Sequence, residues 1–181
     1  MLNIARGEPQ TLAVALDADR SRLVEASRRA ARPARKGGLP NALFVWAAAE
    51  SLPAELTDRF DVVTVHLPWG SLLRAVVRVD VTWVESLRRL LRPSGRVELL
   101  LSVVERDAAV PPLDEHGVRE LAAAYERAGF RAAEVRSAAP AEAAARSTWA
   151  KRLRAGTPER PAWLIVLNRV ERQTGPLESA A

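Results

Sequence analysis

Two short apolar runs stand out along the chain, residues 43–48 (LFVWAA) and 62–67 (VVTVHL). Both are rich in β-branched residues, and each ends in a turn: Ala49-Glu50-Ser51 after the first, Pro68-Trp69-Gly70-Ser71 after the second. Continuous runs of this length suit strands buried on both faces, as in a parallel sheet. Ligands of open α/β sheets bind just beyond the carboxyl ends of such strands. Glu50, Trp69 and Ser71 are therefore expected at a ligand edge. Similar runs at 11–16, 97–104, 130–135 and 163–170 predict further strands.

Between these runs the apolar period changes to that of a helix. Leu23, Val24, Ala26, Ala30 and Ala31 mark a helix over 19–32, and Val81, Val84, Leu87 and Leu91 mark one over 80–91. Residues 71–77 predict a short helix. Another runs from Asp114 or Glu115 to Arg127, with Gly129 as its left-handed cap. Residues 139–154 read as helical, interrupted near Pro140 and Ser147-Thr148, and Pro93-Ser94-Gly95 reads as a turn. The alternation predicts a mostly parallel sheet with helices on both faces, from which the last two strands depart. No internal boundary is evident, so residues 1–170 are expected to form a single domain, with a frayed tail over 171–181.

Composition narrows the function classes. The 181 residues include 48% hydrophobic and 27% charged positions, ordinary for a globular protein. The chain has no cysteine, which excludes disulfides and thiolate chemistry, and two histidines leave little for a metal site, so no metal is expected. No run approaches a membrane span and the N-terminus lacks a secretory core, in agreement with a cytoplasmic protein. The net charge of +5 is carried mostly by arginine. That balance suits a phosphate-bearing partner, or equally a solvated surface.

Candidate chemistry concentrates at the strand ends. Asp17 suits either a ribose ligand or a helix N-cap, and Asp19 is an equally good cap. Glu50 suits an adenine contact or the cap of its turn. Trp69, between Pro and Gly, and Trp149, beside Ser147 and Lys151-Arg152, suit the stacking of an unpaired base. The alternative is that both pack on the sheet, as Trp46, Trp83 and Trp163 are expected to. Arg28, Arg29, Arg32, Arg35 and Lys36 form one basic cluster; Arg146, Lys151, Arg152 and Arg154 form a second. There is no GxSxG, phosphate loop or HExxH.

Three stretches, GGLPNALFVWAAAESLP, LPWGSLLR and STWAKRL, resemble in this order the 16S rRNA (adenine(1408)-N(1))-methyltransferases, a family of aminoglycoside-resistance enzymes. The similarity runs over about residues 11–170. It implies a Rossmann-like class I methyltransferase fold that uses S-adenosylmethionine, acting as a monomer on 16S rRNA in the assembled 30S subunit. On this resemblance Asp17 meets the cofactor ribose, Ala49 and Glu50 contact its adenine, and His66 and Ser71 line its pocket. Trp69 and Trp149 hold the flipped adenine, with Ser147 in support. Arg28, Arg29, Arg32 and Lys36 dock on rRNA, and Arg152 lies near the target. The segment MLNIARGEPQ is similar to the helix that follows the family's first strand and glycine-rich loop. The fold is accordingly expected to be N-terminally truncated, with cofactor binding weak or absent. The alternatives are an inactive rRNA-binding fragment, or a methyltransferase acting on another substrate.

Overall fold

A computed structural model describes residues 1–107 and 110–170. The expected frayed tail over 171–181 lies outside these residues. The chain divides into two compact units, Met1–Ala54 and Glu55–Ala181.

The first unit contains α1 (Leu2–Gly7), β1 (Ala13–Asp17), α2 (Arg20–Ala30) and β2 (Ala42–Trp46). β1 and β2 pair in parallel, from Ala13 opposite Ala42 to Asp17 opposite Trp46. A parallel pair needs a crossover, which α2 supplies. Its start is set by Asp19, whose carboxylate accepts the Ser21 amide at 2.9 Å. After α2 the chain folds back so closely that a Cβ at Gly38 would lie 1.6 Å from the Arg32 carbonyl oxygen. Asn41 then donates to the carbonyls of Ala5 and Thr11, both at 2.9 Å, fastening α1 and the approach to β1.

The second unit contains β3 (Phe60–His66), α3 (Gly70–Arg78), α4 (Val81–Leu90), β4 (Leu91–Leu101), α5 (Glu115–Arg127), β5 (Phe130–Ser137), α6 (Pro140–Arg146), α7 (Thr148–Leu153) and β6 (Trp163–Arg169). Its sheet has the order β3-β4-β6-β5. β3 pairs with β4 in parallel, whereas β6 runs antiparallel to both β4 and β5. Three strands thus share one direction, and the departure expected at the end of the chain is the insertion of β6 between β4 and β5.

β4 is the spine of this unit. Val97, Leu99, Leu100 and Leu101 are all fully buried, so both faces of the strand are covered. Leu100 belongs to a cluster with Leu67, Ala138, Ala143, Ala150, Ala155, Ala162 and Leu164. Alanines dominate it because α6, α7 and their linker lie close to the sheet. Gly156 has φ +92°, and a Cβ there would lie 2.7 Å from the Ala138 carbonyl oxygen, so only glycine suits this crossing. The expected Pro93-Ser94-Gly95 turn is a bulge within β4. The register shifts between Phe60 and Val62, and Ser94 takes φ +63°.

Trp83 on α4 and Tyr125 on α5 share one buried hydrogen-bond chain. The Trp83 indole donates to the Tyr125 hydroxyl at 2.8 Å, and that hydroxyl donates to the Val76 carbonyl at 2.9 Å. Burial pushes the Tyr125 phenol up, so it stays protonated. Tyr125→Phe leaves the Trp83 N–H without its acceptor. It is expected to cost about 1–3 kcal/mol in a urea titration, with no change in m-value.

Candidate functional site

In the first unit, the carboxyl ends of β1 and β2 border an open groove of about 560 Å³, lined by Ala18, Trp46, Ala47, Ala48, Ser51, Leu52 and Pro53. That volume falls within the range of about 300–1,000 Å³ usual for small-molecule clefts. Strand alternation turns Trp46 away from the core, and its side chain is 67% exposed. Its indole donates to the Ala18 carbonyl at 2.9 Å, which holds the ring across the mouth of the β1–α2 turn. Trp46 therefore does not pack on the sheet, as its apolar run implies. Its place is the groove wall, because its register opposite Asp17 ends the strand on the outward side.

Asp17 is the last residue of β1 and adjoins the groove-lining Ala18. It does not cap α2: that role belongs to Asp19, whose carboxyl is held below the usual range, first of all by its hydrogen bond from the Ser21 side chain. One Asp17 oxygen accepts the Asp19 amide at 2.8 Å, so the carboxylate is held at the strand end by its own turn. Ala49 and Glu50 follow β2 within the groove's chain segment but are not part of its wall. Glu50 is exposed, and no hydrogen bond among the described residues engages its carboxylate as a cap. The apolar walls and broad aromatic face of the groove suit a flat ring, with the Asp17 carboxylate next to the wall residue Ala18.

In the second unit, β3 ends at His66. Leu67 follows with φ +51°, buried, its amide bonded to the Leu100 carbonyl at 2.8 Å. This left-handed step is costly for a branched side chain. It turns the chain out of the sheet so that Pro68 stays buried and Trp69 emerges at the N-terminus of α3. Trp69 is 47% exposed and Trp149, on α7, is 43% exposed. Neither is a core residue, which removes the sheet-packing alternative for both. They come from elements that meet, since Leu67, two residues before Trp69, and Ala150, next to Trp149, share one buried cluster. Ser147 is the single extended residue between α6 and α7 (φ −148°, ψ 125°), and Ser71 is exposed in the first turn of α3. Trp83 and Trp163 are structural as expected, the latter donating to the Leu113 carbonyl at 2.9 Å.

His66 is half-buried, and its Nε2 is buried without a partner among the described residues. Burial holds its imidazole below the ordinary range, and the Arg146 guanidinium pushes the same way against the opposing charge of Glu98. His66 is therefore neutral at physiological pH.

The basic clusters have different fates. Arg28, Arg29, Arg32, Arg35 and Lys36 are all exposed, on the end of α2 and the one-turn helix that follows, and none forms an ion pair among the described residues. In the second cluster Lys151, Arg152 and Arg154 are exposed, but Arg146 is not available. Its guanidinium bonds Glu98 at 2.7 Å and Glu142 at 3.3 Å, and Glu142 in turn pairs with Arg136 at 2.7 Å. The sequence signal for this is the lone acid in the apolar run of β4. Among the described residues, no group of three or more His, Asp or Glu is arranged to hold a metal ion, and no helix is long and apolar enough to cross a membrane.

Known proteins resemble this chain in sequence and in fold. The sequence profile of the 16S rRNA (adenine(1408)-N(1))-methyltransferase family (NpmA) matches residues 1–167. The 16S rRNA (adenine(1408)-N(1))-methyltransferase of Streptoalloteichus hindustanus is 39% identical over 158 residues, covering 83% of this chain and 73% of that protein. A crystal structure of a variant of the 16S rRNA (adenine(1408)-N(1))-methyltransferase from Catenulisporales acidiphilia, with cosubstrate SAM, superposes with a TM-score of 0.83 at 27% identity. It covers 96% of this chain and 82% of its own. The aminoglycoside resistance methyltransferase NpmB1 superposes at 0.74 with 34% identity, over 93% and 81% of the two chains. With the match extending over both units and the expected Rossmann-like fold shared with these enzymes, the chain belongs to the 16S rRNA (adenine(1408)-N(1))-methyltransferase family.

Proposed function

We propose that this protein transfers a methyl group from S-adenosylmethionine to N1 of adenine 1408 in the 16S rRNA of the 30S subunit, conferring resistance to aminoglycosides. The observation that carries the reading is the pair of exposed tryptophans on adjoining elements of the second unit, in a chain whose relatives bear this activity by name. The bound cofactor supplies an electrophilic sulfonium methyl. The first-unit groove holds the adenosine part, with Asp17 accepting from the ribose hydroxyls and Trp46 offering an apolar wall. Ala49 and Glu50 are assigned to the adenine, and His66 and Ser71 to further cofactor contacts, on the same family resemblance.

The target N1 carries a free lone pair, so the protein needs no general base at this atom. Its work is to take the base out of its stack and orient it. Trp69 and Trp149 supply two π-faces for the extruded base, worth about 1–3 kcal/mol per stacked base. The methylated adenine is cationic, and indole faces also attract cations. Ser147 supports Trp149 from the helix junction. Arg28, Arg29, Arg32 and Lys36 contact rRNA phosphates, and Arg152 does so near the target. The protein acts as a monomer in the cytoplasm, where assembled 30S subunits are found.

The test is methyl transfer to purified 30S subunits, with the modified base mapped by primer extension. The expected result is a stop at adenine 1408 that depends on S-adenosylmethionine. Subunit binding without transfer would leave only a docking role, and transfer to another nucleotide would overturn the substrate. In a titration calorimeter, Trp46→Ala is expected to weaken S-adenosylmethionine binding about tenfold or more through removal of the groove wall. Unchanged affinity would remove the groove from the cofactor site.

A further inference from the structure

α6 and α7 have seven and six residues, too short to be stable as isolated helices. Neither has a side-chain N-cap. Only Ser147 separates them, so the direction of α7, and of Trp149 in its first turn, depends on how the end of α6 is fastened to the sheet.

The fastening is ionic. Glu98 lies in the middle of β4, directly opposite Thr64 on one side and Val166 on the other. Alternation puts it on the same face as Leu100, which packs beneath α6 and α7. Its side chain is only 15% exposed, and one oxygen accepts from Arg146 at 2.7 Å while the other accepts from Arg96 at 3.1 Å. Burial alone would raise the Glu98 carboxyl, but these two hydrogen bonds outweigh it and hold the group below its usual range. Arg146 is the last residue of α6, and its second nitrogen reaches Glu142 one turn back. A partly buried carboxylate in a central strand is costly unless paired. Its placement under the last residue before Ser147 gives that pairing a use.

We infer that Glu98 and Arg146 form a positioning pair that fixes the α6–α7 junction and so aims Trp149. Neither touches the substrate; both act through the tryptophan. The consequence for methyl transfer rests on the function proposed above, whereas the consequence for the junction does not.

The experiment uses the full chain and the variants Glu98→Gln, Arg146→Gln and their combination. Hydrogen exchange in the free protein reads the junction. Amides of 147–155, including Ala150 bonded to Ser147 and Ala155 bonded to Ala150, are expected to exchange about tenfold faster in Glu98→Gln, while α5 and β6 are unchanged. Methyl transfer to 30S subunits reads the consequence. The kcat is expected to fall about 10–100-fold with KM for the subunit unchanged, because a misaimed clamp affects alignment and not docking. The double variant should be no worse than Arg146→Gln alone, as for two halves of one contact. Unchanged exchange at 147–155 would overturn the inference whether or not the protein methylates rRNA. So would additive losses in the double variant, or exchange that rises equally throughout the unit. If the wild-type chain transfers no methyl group while the exchange result holds, the proposed function fails and the positioning pair stands.

Discussion

Trp149→Ala and Trp69→Ala are each expected to reduce methyl transfer by about 100-fold or more, while binding to the 30S subunit stays within about twofold of the parent. The expectation follows from where the two indoles are. Each is more than two-fifths exposed, so neither ring contributes what a core tryptophan would. Each is carried by an element whose neighbouring residue is buried: Pro68 before Trp69, and Ala150 after Trp149. The backbone under both rings is therefore fixed, and truncation of either removes a π-face with little change in packing. In the proposed function the docking rests on phosphate contacts, which an indole does not make. Phenylalanine at either position keeps a π-face and is expected to retain about a tenth or more of parental activity. Thermal melting is the control. Should Trp149→Ala melt well below the parent, with activity falling in proportion, the ring is a structural element and the clamp assignment fails.

The order of elements is legible because the periods are clean. The strands at 11–16, 43–48, 62–67, 130–135 and 163–170 lie within two residues of the observed ones, whereas the one at 97–104 begins six residues earlier, at Leu91, and Asp19 and Asp114 both accept backbone amides. Less legible is anything set by pairing across the fold. The Pro93-Ser94-Gly95 segment carries turn chemistry, and its left-handed Ser94 obeys it. Its neighbours on both sides nevertheless pair with β3, so the turn becomes a bulge. Trp46 reads as core because it lies in an apolar run, yet run composition does not say which face the final strand residue takes. Arg146 reads as part of a basic surface because three exposed cations follow it closely. What removes it is Glu98, 48 positions away, and only the packing of α6 on β4 brings the two together. The candidate site is thus readable where local chemistry decides it, at Trp69 between Pro and Gly and in the cationic end of α2. It is unreadable where a partner from a distant strand decides it.

The α2 end carries the other large effect. Arg28→Glu, Arg29→Glu and Lys36→Glu combined are expected to weaken 30S binding about 100-fold in low salt, because phosphate bonds give way to repulsion. The salt dependence should flatten as well, with the slope of log K against log salt reduced by about 1 for each phosphate no longer neutralised. The fold should tolerate the change, because all three side chains are exposed and none forms an ion pair among the described residues. One structural cost is foreseeable. Arg28 and Arg29 occupy the last turn of α2, where positive charge complements the helix dipole, so each reversal there costs about 0.3–1 kcal/mol. The corresponding glutamine variant removes the charge with less penalty at the helix end, and it separates docking from helix fraying. It is expected to give a smaller drop in affinity with the same flattening of the salt slope. Methyl transfer at saturating subunit concentration should recover in both variants, since the proposed function has these residues hold the rRNA and leaves the target base to the tryptophans. Parental affinity in low salt, measured on protein that melts normally, would move the docking surface away from α2.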